Sequence, residues 1–433
     1  MLLQLAFVLI AIIIGARIGG IGLGVLGGLG LGILTFGFGL QPTSPPIDVM
    51  LMIVAVIAAA SCMQAAGGLD LMVKWAEKLL RKNPQRITIL SPFVTYLFTF
   101  IAGTGHVAYS VLPVIAEVAT ETKIRPERPM AIAVIASQQA ITASPISAAT
   151  VAMLSMLSGY HISLMDILMI SVPCTLLGVL AGAIYSLRVG KELDQDPEYL
   201  KRVANHEFST KHYETKGVEN QKKAALSVAI FVLATIAIVI FGSMESLRPV
   251  FTVGTEKVSM QMSHIIEVLM LTASAFILLF TKTDGIKAAQ GSVFSAGMQA
   301  VVAIFGIAWM GDTFIAGNMT ELKGSIEHIV TQMPWLFGLA LFVMSILLFS
   351  QAATIRALLP LGIALGISPY MLIALFPAVN GYFFIPNYPT AINFDRTGTT
   401  RIGKYILNHS FMMPGLIATG VSVGLGLLFI QFI

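Results

Sequence analysis

Four short polar breaks interrupt otherwise apolar stretches of this sequence, each setting hydroxyls or amides beside glycine or proline. They are Gly103-Thr104-Gly105-His106, Thr142-Ala143-Ser144-Pro145, Ser350-Gln351-Ala352-Ala353-Thr354 and Ile385-Pro386-Asn387-Tyr388-Pro389-Thr390. A broken helix frees N–H groups at one new end, which favour anions, and carbonyls at the other, which favour cations. One such break reads as a kink sealed by Ser or Thr. Four at related positions read instead as a ligand site, with Gly103, Thr104, Gly105, His106, Thr142, Ser144, Ser350, Gln351, Thr354, Asn387 and Thr390 as its candidates.

Ionisable residues inside the apolar stretches are few, so each is weighed. Arg356, six residues past Ser350, could pair a ligand carboxylate, pair an acid, or snorkel to an interface. His106 could donate to an anion, carry a proton, or make a structural hydrogen bond. Glu117 lies close to a basic loop and reads as solvated; Asp166, after Ser163, reads as a helix-start acid. Asp312 and Glu267 remain candidates for a coupling proton. Enzyme chemistry finds no carrier: His264 and Glu267 form no HExxH, and neither CxxC nor a P-loop occurs. No catalytic residue, metal or cofactor is expected. Cys62 and Cys174, in apolar runs, read as small buried hydrophobes.

The elements that position these groups must be membrane helices. Of 433 residues, 56% are hydrophobic and only 11% charged, against roughly 25% charged in soluble domains. Mean hydropathy is +0.85. Soluble, disordered and disulfide-scaffold classes are excluded. The net charge of +4 comes from basic residues in loops beside apolar runs, which is no nucleic-acid patch. The first apolar stretch lacks a basic leader and reads as a retained span. The glycine-rich residues 19–32 are apolar throughout, and close helix packing explains them.

A bilayer core about 30 Å thick takes about 20 helical residues to cross. By that measure ten spans are expected, near 1–15, 19–40, 47–66, 129–158, 164–187, 224–241, 263–280, 291–312, 368–395 and 405–430. Stretches 87–120 and 334–364 are broken mid-way into halves of about 15 residues, which suits two re-entrant helical hairpins better than spans. The expected fold is thus all-α and polytopic, with about ten transmembrane helices and two hairpins.

Laying the chain on itself places Val54–Met63 on Val301–Met310 and Pro113 on Pro360, an offset of 247. After a loop-length difference the offset is 241, and Ser144-Pro145 falls on Ile385-Pro386. Residues 1–187 and 224–433 each read as three spans, a hairpin, a broken span and a final span, joined by a polar linker at 188–223. The stretch Asp70–Arg86 holds five basic residues, Lys74, Lys78, Arg81, Lys82 and Arg86, whereas its counterpart at 316–333 holds only Lys323. Positive-inside bias puts the first in the cytoplasm and the second outside, so the halves are inverted and both termini external. Inverted repeats place binding sites near the midplane, where interrupted helices point at the ligand.

The strings GGLDLMVKWAEKLLRKNPQRITIL, GTGH, SQAAT and IPNYPTAINFDRTGTTRIGKYILNHSFMMPG resemble the anaerobic C4-dicarboxylate transporter family, Dcu, of the A and B type, over essentially the whole chain. The resemblance implies an inner-membrane bacterial carrier, not an enzyme, that exchanges fumarate, succinate, malate or aspartate in support of fumarate respiration. It also implies a homodimer with an elevator-like transport domain. Thr104 and Gly105 would hold one carboxylate, Ser350 and Gln351 the other, with Thr142, Ser144, Asn387 and Thr390 completing the shell or lining a site for coupling H+ or Na+. A cation-coupled uptake carrier for another organic anion, and an anion channel, stand as alternatives.

The inverted topology has a direct check. Single cysteines placed at Lys82 and Lys323 in a Cys-free background should react with an impermeant maleimide from opposite sides of the membrane. Labelling of both from one side would remove the inversion.

Overall fold

Runs of Leu, Ile, Val, Ala and Phe in lipid must satisfy their own backbone, and the helix is the local way to do it. The computed structural model describes residues 1–105, 108–197, 200, 220–253, 256–318, 321, 333–348, 350–384 and 409–432. Its first helices are α1 (Leu2–Ile18), α2 (Gly22–Gly32, continued by a π turn over Ile33–Gly37), α3 (Ile47–Ala65) and the amphipathic α4 (Gly68–Lys82). Next come α5 (Ile87–Ala102), α6 (Ala108–Glu121), α7 (Glu127–Ile141), α8 (Ala148–Leu157) and α9 (Leu164–Ser186). The second half brings α10 (Gln221–Ser243), α11 (Met262–Thr281), the short α12 (Gly285–Ala289) and α13 (Ser292–Gly317). It closes with α14 (Trp335–Leu348), α15 (Gln351–Ala364), α16 (Pro369–Ala374), a 3-10 segment at Phe376–Phe383, and α17 (Met412–Phe429). A two-stranded hairpin joins α10 to α11: β1 (Val250–Val253) runs antiparallel to β2 (Glu256–Ser259), with Val250 opposite Ser259. Sequence periodicity did not indicate it.

Among the described residues seven helices are long and apolar enough to cross a membrane: α3, α5 with its leading turn from Pro84, α9, α10, α11, α13 and α17. The chain is an all-α polytopic membrane protein. Expected spans 1–15 and 19–40 form shorter apolar helices, and 129–158 divides into α7 and α8. Expected span 368–395 begins as α16 and the 3-10 segment, with 385–395 outside the described residues; 405–430 is helical from Met412. The first arm of stretch 87–120 is longer than its expected half, because the Pro84–Arg86 turn runs straight into α5 and brings the apolar helix to 19 residues.

Helix α1 packs on α2, and α10 on α11; α2 lies along α13, and α11 along α3. Helices α5 and α7 pack closely, as do α14 and the 3-10 segment, while α9 crosses α17. Charges tie down one face of the molecule. Arg81, at the end of α4, donates to Glu77 at 3.0 Å, to Glu117 at 3.0 Å and to Glu121 at 2.8 Å. Partial burial works against the Arg81 charge, but these carboxylates more than offset it and push its pKa above the ordinary value. The entry to α5 and the exit of α6 therefore lie together. Arg128 reaches across to Glu192 at 2.8 Å and to the carbonyls of Val189 and Gly190. Arg125 pairs with Glu127 and Asp196, so the chain leaving α9 returns to the same face. Glu117, expected to be solvated, is paired; Asp166 caps α9 reciprocally with Ser163.

The glycine-rich face of α2 lets two backbones touch. A Cβ on Gly24 would sit 2.0 Å from the Val302 carbonyl oxygen, and one on Gly306 would sit 1.8 Å from that of Gly24. Neither obstacle is a side chain that can turn aside. Gly306→Leu should therefore destabilise the detergent-solubilised protein by more than about 2 kcal/mol, read as a lowered thermal midpoint. Gly28→Leu, on the same helix with nothing within 4 Å, should leave the midpoint unchanged.

Candidate functional site

The first tip and the first break hold each other. Gly103 ends α5 in the left-handed region at φ 69°, donating its N–H to Thr99 O at 2.8 Å. A side chain there would meet Ile146 at 3.0 Å, so φ and space both call for glycine. Ser144 donates to the Phe100 carbonyl at 2.7 Å, and Thr142 donates to the Gln139 carbonyl at 2.8 Å. Gly105 lies against Gln138, whose Nε2 would be 2.6 Å from a Cβ at that position. Thr104 is half-buried at the tip. His106 lies outside the described residues.

The second tip starts α15. Ser350 is its N-cap, its hydroxyl oxygen accepting from Ala353 N at 3.2 Å, and Thr354 donates back to the Ser350 carbonyl at 2.8 Å. The Ser350 O–H remains available as a donor. In the 3-10 segment Gly381 N donates to Ser345 Oγ of α14 at 2.8 Å, repeating the contact between tip arm and break. Asn387 and Thr390 lie outside the described residues.

Buried amides join the two units. Gln351 Nε2 donates to Gln138 Oε1 at 3.0 Å and to Asn380 Oδ1 at 3.2 Å. Asn380 Nδ2 donates to Gln139 Oε1 at 3.2 Å, Thr142 Oγ1 at 3.4 Å and the Pro377 carbonyl at 3.1 Å. Gln139 Nε2 continues to Thr419 Oγ1 of α17 at 2.9 Å. Of these residues sequence reasoning found Gln351 and Thr142 and missed Gln138, Gln139, Asn380 and Thr419. The available signal was two adjacent glutamines inside an apolar helix. Gln138 and Gln139 precede the break at Thr142, whereas the sequence marks only the break itself.

Arg356 stands apart from this cluster. Five residues past Gln351 on the same helix, it lies about 140° around the axis, on the face packed toward α13. It is 8% exposed, which is too buried for snorkelling, and its Nε has no hydrogen-bond partner. The charges acting on it are those of Asp312, on α13, and Asp48. Asp312 keeps a buried Oδ1 without a partner. So of the candidate residues the structure brings together Gly103, Thr104, Gly105, Thr142 and Ser144 at one locus. Gln351 bridges to it, Ser350 and Thr354 sit at its root, and Arg356 faces elsewhere. Among the described residues no three His, Cys, Asp or Glu side chains converge as a metal site would require.

An interior built of neutral amides and interrupted helices suits passage of a polar solute, and comparison with known proteins bears on which proteins share it. The whole chain, residues 1–433, matches the family described as anaerobic C4-dicarboxylate membrane transporters. The chain belongs to that family. Over 439 residues, 99% of this chain and 98% of the other, it is 43% identical to the protein named anaerobic C4-dicarboxylate transporter DcuB of Escherichia coli O157:H7. It is 43% identical over 426 residues to C4-dicarboxylate transporter DcuA of Wolinella succinogenes, covering 98% and 97% of the two chains. With the DcuA of Escherichia coli K12 it shares 42% identity over 430 residues, 98% of each. As a member of a membrane transporter family the chain is not an enzyme, and its buried polar groups are to be read as binding and positioning groups.

In this transporter the buried Arg356 and the half-buried Asp312 are opposite charges that act on each other without an ion-pair contact. Asp312→Asn should lower thermal stability, by less than the roughly 3–5 kcal/mol of a contact pair. Adding Arg356→Gln should recover part of the loss. Additive losses in the double variant would show that the two charges do not act on each other.

Proposed function

We propose that this transporter carries C4-dicarboxylates such as fumarate, succinate, malate and aspartate across a bacterial inner membrane, exchanging one for another. The observation that carries the reading is the meeting of two interrupted helix units through Gln351, Gln138 and Asn380. Donors at two tips, on two units, suit a ligand with an acceptor at each end, and an ionised carboxylate is an acceptor only. The names of the relatives give the same chemical class.

The proposed frame is two inverted repeats, residues 1–187 and 224–433, joined by 188–223. Gln139 and Asn380 support it: they hydrogen-bond at a separation of 241, the offset that superposes the two breaks. Equivalent residues touch each other only on the axis that relates them. The packing pairs also exchange under the same operation, α1–α2 with α10–α11, and α2–α13 with α11–α3. The bonds from Arg81 to Glu117 and Glu121 support a re-entrant hairpin at 87–120, since they bring its two ends to one face. The amino group of Met1 lies 3.8 Å from Glu321, just past α13, which supports an external N-terminus. In the elevator movement we propose, the two interrupted units with α9 and α17 slide against α2, α3, α11 and α13.

Counterflow in liposomes tests the exchange. Internal succinate should accelerate uptake of labelled fumarate; uptake indifferent to internal dicarboxylate would leave a channel or a uniporter. In the same assay Thr104→Val and Ser350→Ala should each raise the half-saturating concentration roughly 10- to 150-fold, the loss of one hydrogen bond to a charged group. Ser350→Ala also loses a helix cap, about 1 kcal/mol of stability. Because Arg356 faces α13 and Asp312 and not the amide cluster, Arg356→Gln should affect a dianion and a matched mono-anion alike. A selective loss of dianion affinity, with Arg356→Lys between, would instead assign its charge to the substrate.

A further inference from the structure

The amide cluster contains one donor that the mechanism above does not use. Gln138 is fully buried, and its Nε2 has no hydrogen-bond partner. Its direction is dictated by its neighbours. The Pro377 carbonyl can only accept, so the nitrogen of Asn380 must face it. That turns Asn380 Oδ1 toward Gln351, which must then present its nitrogen. The same Gln351 nitrogen meets Gln138, which must answer with Oε1. Nothing remains for the Gln138 N–H2 group but to face away from the cluster. Rotating the Gln138 amide would set nitrogen against nitrogen, so the orientation is locked by a backbone carbonyl three residues' contacts away.

What the N–H2 group faces is the first tip. Its nitrogen crowds the place where a side chain of residue 105 would begin, 2.6 Å from the ideal Cβ position, and it finds no acceptor there. A buried donor left without an acceptor is unfavourable, and it is relieved when an acceptor arrives. A cation would be repelled by the two hydrogens. An ionised carboxylate gives the stronger, charge-assisted bond.

We propose that Gln138 is a substrate-binding residue: its free amide N–H2 group donates to one carboxylate of the transported dianion as the first tip moves off it at Gly105. The proposal rests on the dicarboxylate reading above and deepens it. Gln351, Asn380 and the Pro377 carbonyl then act as positioning groups that keep the donor outward. The unpaired donor disfavours the empty, closed tip, and the carboxylate removes that penalty in the loaded state.

Two substitutions separate a donor from a merely structural partner of Gln351. Gln138→Glu keeps an oxygen for the Gln351 nitrogen and replaces the outward donor by an acceptor; Gln138→Met removes both. The measurements are half-saturating external succinate in counterflow at pH 8.5, and the rise in thermal midpoint that succinate causes in detergent. A binding donor predicts a rise in half-saturation of roughly tenfold or more in Met, a larger one in Glu, and loss of the succinate-induced stabilisation in both. A structural role predicts the reverse order, with Glu close to wild type, and that order overturns the proposal. If Glu does not reach the membrane, Met decides: wild-type half-saturation there, or a rise accompanied by a lowered ligand-free midpoint, overturns it, whereas a tenfold rise with loss of the succinate-induced shift at an unchanged ligand-free midpoint supports it. Wild-type protein that neither exchanges nor is stabilised by any C4-dicarboxylate would instead overturn the dicarboxylate reading, and this proposal with it.

Discussion

A helix broken inside a bilayer must find partners for its freed N–H and carbonyl groups within the protein, because lipid offers none. Much of this structure answers to that requirement. Ser144 takes up the Phe100 carbonyl, Thr142 that of Gln139, and Ser350 the N–H of Ala353. Each of these hydroxyls sits at a break and is oriented by it. The tips and the breaks thus need each other: the end of α5 is finished by a residue after α7, and the break near Gly381 is finished by Ser345 of α14.

Once the local breaks are sealed, what links the two units is a set of neutral amides. An amide both donates and accepts, so a chain of them has a direction, and a fixed group at one end orients every member. Here the fixed group is the Pro377 carbonyl. The arrangement brings polarity into the interior without a net charge, which would be costly to bury. Of the charges that do enter, Arg356 lies on another face of α15 and Asp312 on α13, and they offset one another at a distance.

Among the described residues most ion pairs gather at one end of the molecule, with Arg248–Glu245 and Met1–Glu321 elsewhere. Arg81, Arg125 and Arg128 bind carboxylates on α4, α6 and the chain after α9, and several of these side chains are themselves largely buried. Fork-shaped guanidinium groups can satisfy two or three acceptors each, which suits them to clasp loops together. The opposite device operates within the membrane, where Gly24 and Gly306 let backbones meet with no side chain between them.

The sequence alone determined the class of protein, since 56% hydrophobic and 11% charged residues leave no soluble solution. It also marked the breaks at Gly103 and Ser350, because a left-handed glycine and a serine cap are local chemistry written in adjacent residues. Asp166 was legible as a helix-start acid for the same reason. The partners across the fold were not legible. Gln138, Gln139 and Asn380 look like ordinary polar residues until α7 and the 3-10 segment are packed together, and Glu117 looks solvated until Arg81 arrives from α4. The length of α5 escaped too, because a 3-10 turn joined it head-on. Whether Arg356 faces the amides or α13 is a matter of helix rotation, which packing sets and spacing does not. Local backbone chemistry acts over a few residues and can be read along the chain; hydrogen bonds between residues 213 or 241 apart exist only once the tertiary structure has brought them within reach.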